Sequence, residues 1–431
     1  MNLTPIAILA LAVAALVGVV AQWSDSLLAD LYWRAVLAFM AVGLAYELYV
    51  TQRLAVGARW TPRPALYLGR QEALELTIEN RTRRHVTVQF APAWPAALAG
   101  DVRARTLRVA PHETAATGLT ARAVALGLHA WPQLPARIRG PLRLAWWSRR
   151  LAPDGATRVL PDTLGPHGAI LGSSEGATAQ AMLGGGHELH HLRDYQAGDP
   201  RHTIDWKATA RTSRLVTRVF SEDQHLEVMV LVDAGRTSRT EIDGMQQLGH
   251  YANLAARFAE YCIGNDDQVG LIAFADRPLV TLRPGRGVQA VTRIRNALTE
   301  LTASPVESDV LAAALHVRNL VRHRCLVVIL TDLYERSATS ALAQSARLLV
   351  PKHLPIIVGL LSEDVVELAN LVADDWLDPY RSFAAREYQK HVGANIARLG
   401  HLGAYAMTAR ARELDRKVLD TYRQLRAQRR I

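Results

Sequence analysis

The run His187-Glu188-Leu189-His190-His191 places two imidazoles four residues apart, with a carboxylate beside the first. On a helix, His187 and His191 would share a face and could hold zinc while Glu188 acts as general base, the chemistry of a zinc hydrolase. Such a site needs a long helix through the motif and a third ligand. Three glycines (184–186) precede the motif, and Gly198-Asp199-Pro200 closes any helix within about two turns. The nearest downstream acids, Glu222 and Asp223, stand beside a strand-like run. The other reading of these residues is a structural histidine cluster, in a chain that holds 15 histidines.

Asp233 and Asp332 form a second place where chemistry can sit. Each closes a near-continuous apolar run, 226–233 and 325–332, and in open α/β sheets ligands bind at the carboxyl ends of such strands. No nucleophile–base pair emerges: Ser308 and His316 fall on different helical turns with no orienting acid between them. Gly285-Arg286-Gly287 is too short for a phosphate loop, and no G-x-x-x-x-G-K-[ST] occurs. Cys262 and Cys325 both fall in apolar segments, which points to buried, reduced thiols.

Positioning these residues requires an alternating scaffold. From 226 onward, strand-like runs at 226–233, 268–274, 325–332, 355–361 and 404–408 alternate with helical patterns at 245–263, 288–301, 310–321 and 410–430. Apolar strands interleaved with helices predict a doubly wound, mainly parallel sheet covered on both faces. The segment 61–163 has period-two alternation with frequent turn residues, as at 73–79, 86–90 and 106–110, and predicts a small Ig-like β-sandwich. Residues 164–225 read as a linker, rich in Gly, Ser and Ala over 165–186, followed by a charged segment; 226–431 is the α/β domain.

The first sixty residues carry two apolar stretches, 5–23 and about 35–56, flanked by Trp23, Tyr32, Trp33 and Trp60. They predict a transmembrane helical hairpin with interfacial aromatics. Glu47 interrupts the second stretch; within reach of the interface it can snorkel, and the other reading is a functional intramembrane carboxylate. The short connection carries Asp25, Asp30 and Arg34, whereas Arg53, Arg59, Arg63 and Arg70 follow the second span. By the positive-inside rule the soluble part faces the cytoplasm. The net charge of +10 comes from scattered arginine with no basic run of five and only 6% aromatics, so an anionic membrane or acidic partner is expected and nucleic acid is not.

The segment before the α/β domain strings together Glu188, Arg193, Tyr195, Gly198, Asp199, Arg201, Ile204, Asp205, Trp206, Lys207, Ala208, Ala210 and Arg211. This series closely resembles the signature of the bacterial family named domain of unknown function 58, whose layout of two membrane spans, sandwich and α/β domain matches the whole chain. Its dense opposite charges fit two readings: a salt-bridged clamp, or a face turned to a partner.

The α/β domain is similar to the von Willebrand type A domain with its metal-ion-dependent adhesion site. Carried over, that site falls on Asp233, Thr237, Ser308 or Asp309, and Asp332, with Glu335 just beyond. Gly235 replaces the first serine of the adhesion loop and removes one hydroxyl, and Arg236 adds a positive charge. The resemblance implies a divalent cation, Mg²⁺ or another, held by oxygen ligands. Resemblance to the domain of unknown function 58 family implies a MoxR-type AAA+ ATPase and client proteins as partners in protein maturation or complex assembly, and the expected protein is a non-enzymatic interaction module in the cytoplasmic (inner) membrane of a bacterium.

Overall fold

The computed structural model describes residues 2–23, 27–61, 65–163, 183–196, 198–221, 226–334, 336–372 and 374–428. The expected 165–186 linker lies outside them as far as residue 182, and its last four residues open a strand. Glu222, Asp223, Glu335, Arg429 and Arg430 also lie outside the described residues. The chain is mixed α/β and divides into two compact units, one built mainly on residues 1–162 and the other mainly on 163–431.

The first unit opens with helices α1 (Pro5–Trp23) and α2 (Leu27–Gln52). Within α2, Leu31–Gln52 is long and apolar enough to cross a membrane; the apolar stretch Pro5–Ala21 of α1 is shorter. Among the described residues, one helix meets the length and hydropathy a span requires. Glu47 does not snorkel. It is fully buried, and its carboxylate accepts hydrogen bonds from the Leu144 and Ala145 amides, both at 3.0 Å, and from Trp147 Nε1 at 3.3 Å.

Two antiparallel sheets follow. One runs in the order β1 (Asn2–Leu3), β11 (Ala145–Leu151), β10 (Leu134–Arg139), β5 (Val86–Phe90) and β7 (Arg105–Val109). The other runs β2 (Val56–Trp60), β4 (Gln71–Asn80), β8 (Thr114–Ala123) and β6 (Leu98–Gly100). A third, small sheet joins β3 (Leu66–Tyr67), β12 (Ala156–Leu160) and β9 (Gly127–Ala130). Alternation along the strands turns Leu74, Leu76 and Ile78 of β4, Val86, Val88 and Phe90 of β5, and Leu134, Ala136 and Ile138 of β10 into one shared core. Trp60 stacks on Trp131 at 4.4 Å and tilts against Trp94 at 5.1 Å.

The second unit begins with a hairpin of β13 (Leu183–Asp194) and β14 (Val216–Ser221), whose connection carries α3 (Trp206–Thr212). Its main sheet contains β15 (Glu227–Asp233), β16 (Gln268–Phe274), β17 (Pro278–Gly285), β18 (Leu326–Leu330), β19 (Leu354–Leu360) and β20 (Tyr405–Ala409), in the order 17-16-15-18-19-20. Five strands are parallel; β17, which the sequence did not announce, pairs antiparallel at one edge. Its alternation of half-buried and exposed residues is that of a strand with one wet face.

The helices are α4 (Gln247–Gly264), α5 (Gly287–Thr299), α6 (Val310–Leu320), α7 (Arg336–Leu349), α8 (Glu363–Ala369), α9 (Asp378–His401) and α10 (Ala411–Ala427). Met229, Leu231, Ile272 and Phe274 share a core with Val310, Ala314 and Val317 of α6 and Leu342 and Ala346 of α7. Val228, Val230 and Val232 alternate to the opposite face and are equally buried, so both faces of the sheet are covered. Cys262 and Cys325 are buried and free. Burial pushes the Cys325 thiol up to about 12.

Two arginines of the C-terminal helix α10 are tied to the body of the α/β unit. Arg426 pairs with the buried Asp267 at 3.0 Å, the Tyr422 hydroxyl donates to the same carboxylate, and Arg423 Nε donates to Tyr261 Oη at 2.7 Å.

Candidate functional site

Parallel pairing of β15 with β16 and β18 brings the carboxyl ends of three strands together, and Asp233 is the last residue of the central one. Its side chain is buried, and three donors converge on it. Oδ1 accepts the Gly235 amide at 2.8 Å and the Ser308 hydroxyl; Oδ2 accepts the Thr331 hydroxyl at 2.6 Å. Burial holds the carboxyl above the ordinary carboxylate range, while the hydroxyls of Ser308 and Thr331 and the Gly235 amide oppose that rise.

The loops around it are pinned by main-chain bonds. Arg236 N donates to Val306 O and Ser304 N to Ala234 O, both at 2.7 Å; Asp309 N donates to Ala275 O at 2.8 Å. These bonds carry the 304–309 loop across the strand ends and deliver Ser308 to Asp233. A Cβ on Gly235 would collide with Ser308 Oγ and lie 2.9 Å from Val306 O. Glycine at 235 therefore vacates the space that the Ser308 hydroxyl fills.

Of the residues carried over from the adhesion site, Asp233 and Ser308 meet. Thr237 lies in the 3-10 turn Arg236–Arg239, and it is the neighbouring Ser238 that contacts Asp233, donating its hydroxyl to the Asp233 carbonyl oxygen at 2.6 Å. Asp309 instead caps α6, accepting Ala312 N at 2.8 Å. Asp332 accepts Tyr334 N at 2.9 Å. Tyr388 stacks on Tyr334 at 4.4 Å, and its hydroxyl is pushed up by burial and by the charge of Asp332. Thr331, the residue that follows β18, was missed. Among the described residues no group of three or more His, Cys, Asp or Glu stands together. A cation at Asp233 would thus be held by one carboxylate and neutral hydroxyls, with water completing its shell, which is the donor set Mg²⁺ accepts.

The signature segment folds as the β13–β14 hairpin. The motif His187–His191 lies in strand β13, so the helix that would bring both imidazoles to one zinc is not there. The side chains of Glu188 and the three histidines lie outside the described residues. Further along, Asp199 accepts Arg193 Nη2 at 2.7 Å and Gln196 N at 2.9 Å, and Tyr195 Oη donates to Asp199 O at 3.3 Å. Gly198 sits at φ +115°, a conformation that glycine alone adopts freely, and makes this tight loop possible. Asp205 caps α3 by accepting Lys207 N and Ala208 N at 3.0 Å, and it pairs with Arg218 at 3.2 Å. Backbone amides first, then the arginines, hold both carboxyls below their usual range. Thr209 Oγ1 accepts Val216 N at 3.1 Å and ties the helix to β14.

What the acids leave outward is equally defined. α3 has no buried residue. Trp206 is 66% exposed, and Arg201, Lys207, Arg211, Arg214 and Leu215 of the same segment are exposed as well.

These features describe a chain with a membrane-type helix, a β-sandwich and a mixed α/β unit with a polar site at its strand ends. Residues 191–380 match the model described as protein of unknown function DUF58, so this stretch of the chain carries a domain of that family. No curated protein matches the chain. Among solved structures, proximal thread matrix protein 1 from the mussel byssus is 13% identical, with 45% of each chain covered and a TM-score of 0.29. The CARDB domain of a Pyrococcus furiosus protein, in complex with di-metal ions, is 9% identical, covering 25% of this chain and 93% of its own, with a TM-score of 0.18. A FixG-related protein from Vibrio parahaemolyticus is 11% identical, covering 24% and 95%, at 0.16.

Proposed function

We propose that this protein is a membrane-tethered docking module whose α/β unit, of von Willebrand type A kind, binds a MoxR-type AAA+ ATPase in bacterial protein maturation or complex assembly. The observation that carries this reading is the exposed Trp206 on a helix with no buried residue, in a segment whose arginines and lysine at 201, 207, 211 and 214 are also exposed, while Asp199 and Asp205 are spent on internal bonds. A large exposed indole among cations is the composition of an interface hot spot, and the surrounding charge suits an acidic partner surface. α2 tethers the module to the membrane, and the arginines following it favour a cytoplasmic soluble part. Asp233, with Ser308 and Thr331, would hold Mg²⁺ and leave a coordination position for a partner carboxylate.

The test is binding of the full-length protein, in nanodiscs, to the MoxR-type ATPase of the same bacterium. Trp206→Ala should weaken association roughly 30-fold or more, and Arg211→Glu should slow its onset most strongly at low salt. Asp233→Asn should abolish Mg²⁺ binding measured by isothermal titration. Wild-type affinity in both the Trp206 and Arg211 variants would remove the docking face, and an Mg²⁺ isotherm unchanged by Asp233→Asn would remove the cation site.

A further inference from the structure

Glu47 opens a question about the sandwich that the docking role leaves aside. A carboxylate near the end of an apolar helix usually turns out to water, yet this one turns in and grips the tip of the β10–β11 hairpin through the Leu144 and Ala145 amides and the Trp147 indole. The grip is reinforced from two sides. Thr4 donates its hydroxyl to Arg143 O at 2.7 Å and its amide to Leu144 O at 2.9 Å. Arg149 Nη1 donates to Leu54 O at 2.5 Å, beyond the end of α2. Gly43, one turn before Glu47, is equally committed: a Cβ there would lie 2.8 Å from Leu144 Cδ1 and 3.5 Å from Leu142 Cδ1. Hairpin and helix thus run side by side from Leu54 to Gly43, about 16 Å at the helical rise.

The height of the bilayer can be read against that ladder. Tyr46 and Tyr49 are exposed on α2, and the Arg84 guanidinium donates to Tyr46 Oη at 3.2 Å. Arg53 lies over the Tyr49 ring at 4.1 Å. Tyrosines whose rings are apolar and whose hydroxyls meet arginine belong at the headgroup layer. Counting about 20 residues back from Tyr46, the roughly 30 Å of a hydrocarbon core, reaches Leu27, where α2 begins. The tip carrying Leu142 and Leu144 lies one turn deeper than Glu47. Leu142 is 49% exposed, Arg143 is exposed beside it, and the β4–β5 loop that brings Arg84 to Tyr46 also exposes Arg81, Arg83 and His85.

We infer that the β10–β11 tip and the arginine loop of the sandwich are seated in the headgroup layer of the bilayer that α2 crosses, Leu142 reaching the acyl boundary and Arg83, Arg84 and Arg143 pairing with anionic phospholipid phosphates. This rests on the reading that α2 spans the membrane. The sandwich is then a foot fixed on the lipid surface, and each arginine at that surface favours an anionic over a neutral lipid about five-fold.

Both native cysteines are buried, so single introduced cysteines can carry an environment-sensitive fluorophore in the full chain. Leu142→Cys and Arg143→Cys probe the tip, Phe39→Cys (75% exposed) probes the span, and Val102→Cys (68% exposed) probes the sandwich away from it. In liposomes of mixed phosphatidylglycerol and phosphatidylcholine, the tip labels should be quenched by shallow nitroxide lipids, more by labelled phosphatidylglycerol than by labelled phosphatidylcholine. The label at 102 should respond to aqueous iodide alone, and the one at 39 to deep nitroxides. Arg83→Glu with Arg84→Glu should erase the lipid preference while the quenching at 39 stays. Water-exposed labels at both 142 and 143, with 39 still quenched, overturn the seating and leave the span standing. A water-exposed label at 39 overturns the span itself. Equal quenching by the two lipids overturns the pairing with anionic phosphates.

Discussion

Gly235→Ala tests whether the Ser308 hydroxyl occupies the space that glycine vacates beside Asp233. Gly235 has φ −84° and ψ −162°, open to any L-residue, so no backbone strain enters. The added Cβ would overlap Ser308 Oγ and lie 2.9 Å from Val306 O and 3.2 Å from Ser308 Cβ. Turning Ser308 away gives up its bond to Asp233, about 1–2 kcal/mol for a buried hydroxyl on a carboxyl. Val306 O cannot retreat freely, because Arg236 N holds it at 2.7 Å; that squeeze adds about 1–2 kcal/mol of overpacking. The total is about 2–4 kcal/mol, which in a unit of this size lowers the melting temperature by about 4–16 °C. Differential scanning calorimetry of the detergent-solubilised chain reads it. In a Ser308→Ala background the collision with Oγ is gone, and Gly235→Ala should cost about 1–2 kcal/mol less. A Gly235→Ala variant that melts with the wild type, or that costs the same with and without the Ser308 hydroxyl, refutes the argument.

Asp267→Asn should destabilise the α/β unit by about 2–3 kcal/mol, below the cost of breaking a fully buried pair because Arg426 keeps 35% of its side chain exposed. Tyr422→Phe should cost about 1–2 kcal/mol, and urea denaturation would show a wrong account if the tyrosine variant proved the weaker of the two. His353 is buried against Cys325 Sγ at 3.1 Å, and burial first, then Lys352 and Arg318, push its pKa from 6.5 down to about 4. The unfolded chain therefore binds this proton more readily than the folded one. The stability it contributes is full above about 6.5 and is lost as pH falls through that window towards 4. His353→Gln should flatten this part of the melting-temperature profile, and parallel wild-type and variant profiles between pH 6.5 and 4 would contradict it.

Much of the α/β sheet was legible because its strands are continuous apolar runs with helical periods between them. The strand 268–274 and the start of the helix at 310 fall where the pattern placed them. β17 was not legible, because a half-wet edge strand with Pro278, Arg283 and Pro284 has no such run. At the site, Asp233 was found from its place at a strand end, and Ser308 from resemblance. Which oxygen each donor reaches depends on long-range closure of the 304–309 loop, which no local pattern encodes. Asp309 and Asp332 show the same limit: identical carboxyls, spent on a helix cap and a turn amide. Glu47 was misread for a related reason. Its partners lie about a hundred residues away in the sandwich, and sequence alone offers a membrane carboxylate only the choice between interface and function.

The indoles of Trp60, Trp94 and Trp131 have a spectroscopic consequence. Centroids 4.4 and 5.1 Å apart, with the first pair nearly parallel, place the transition dipoles close enough to couple as excitons. The three rings come from well-separated stretches of the first unit and touch only when its sheets have closed. Their circular-dichroism couplet is therefore an internal optical clock for assembly of the sandwich, silent to whatever the α/β unit is doing.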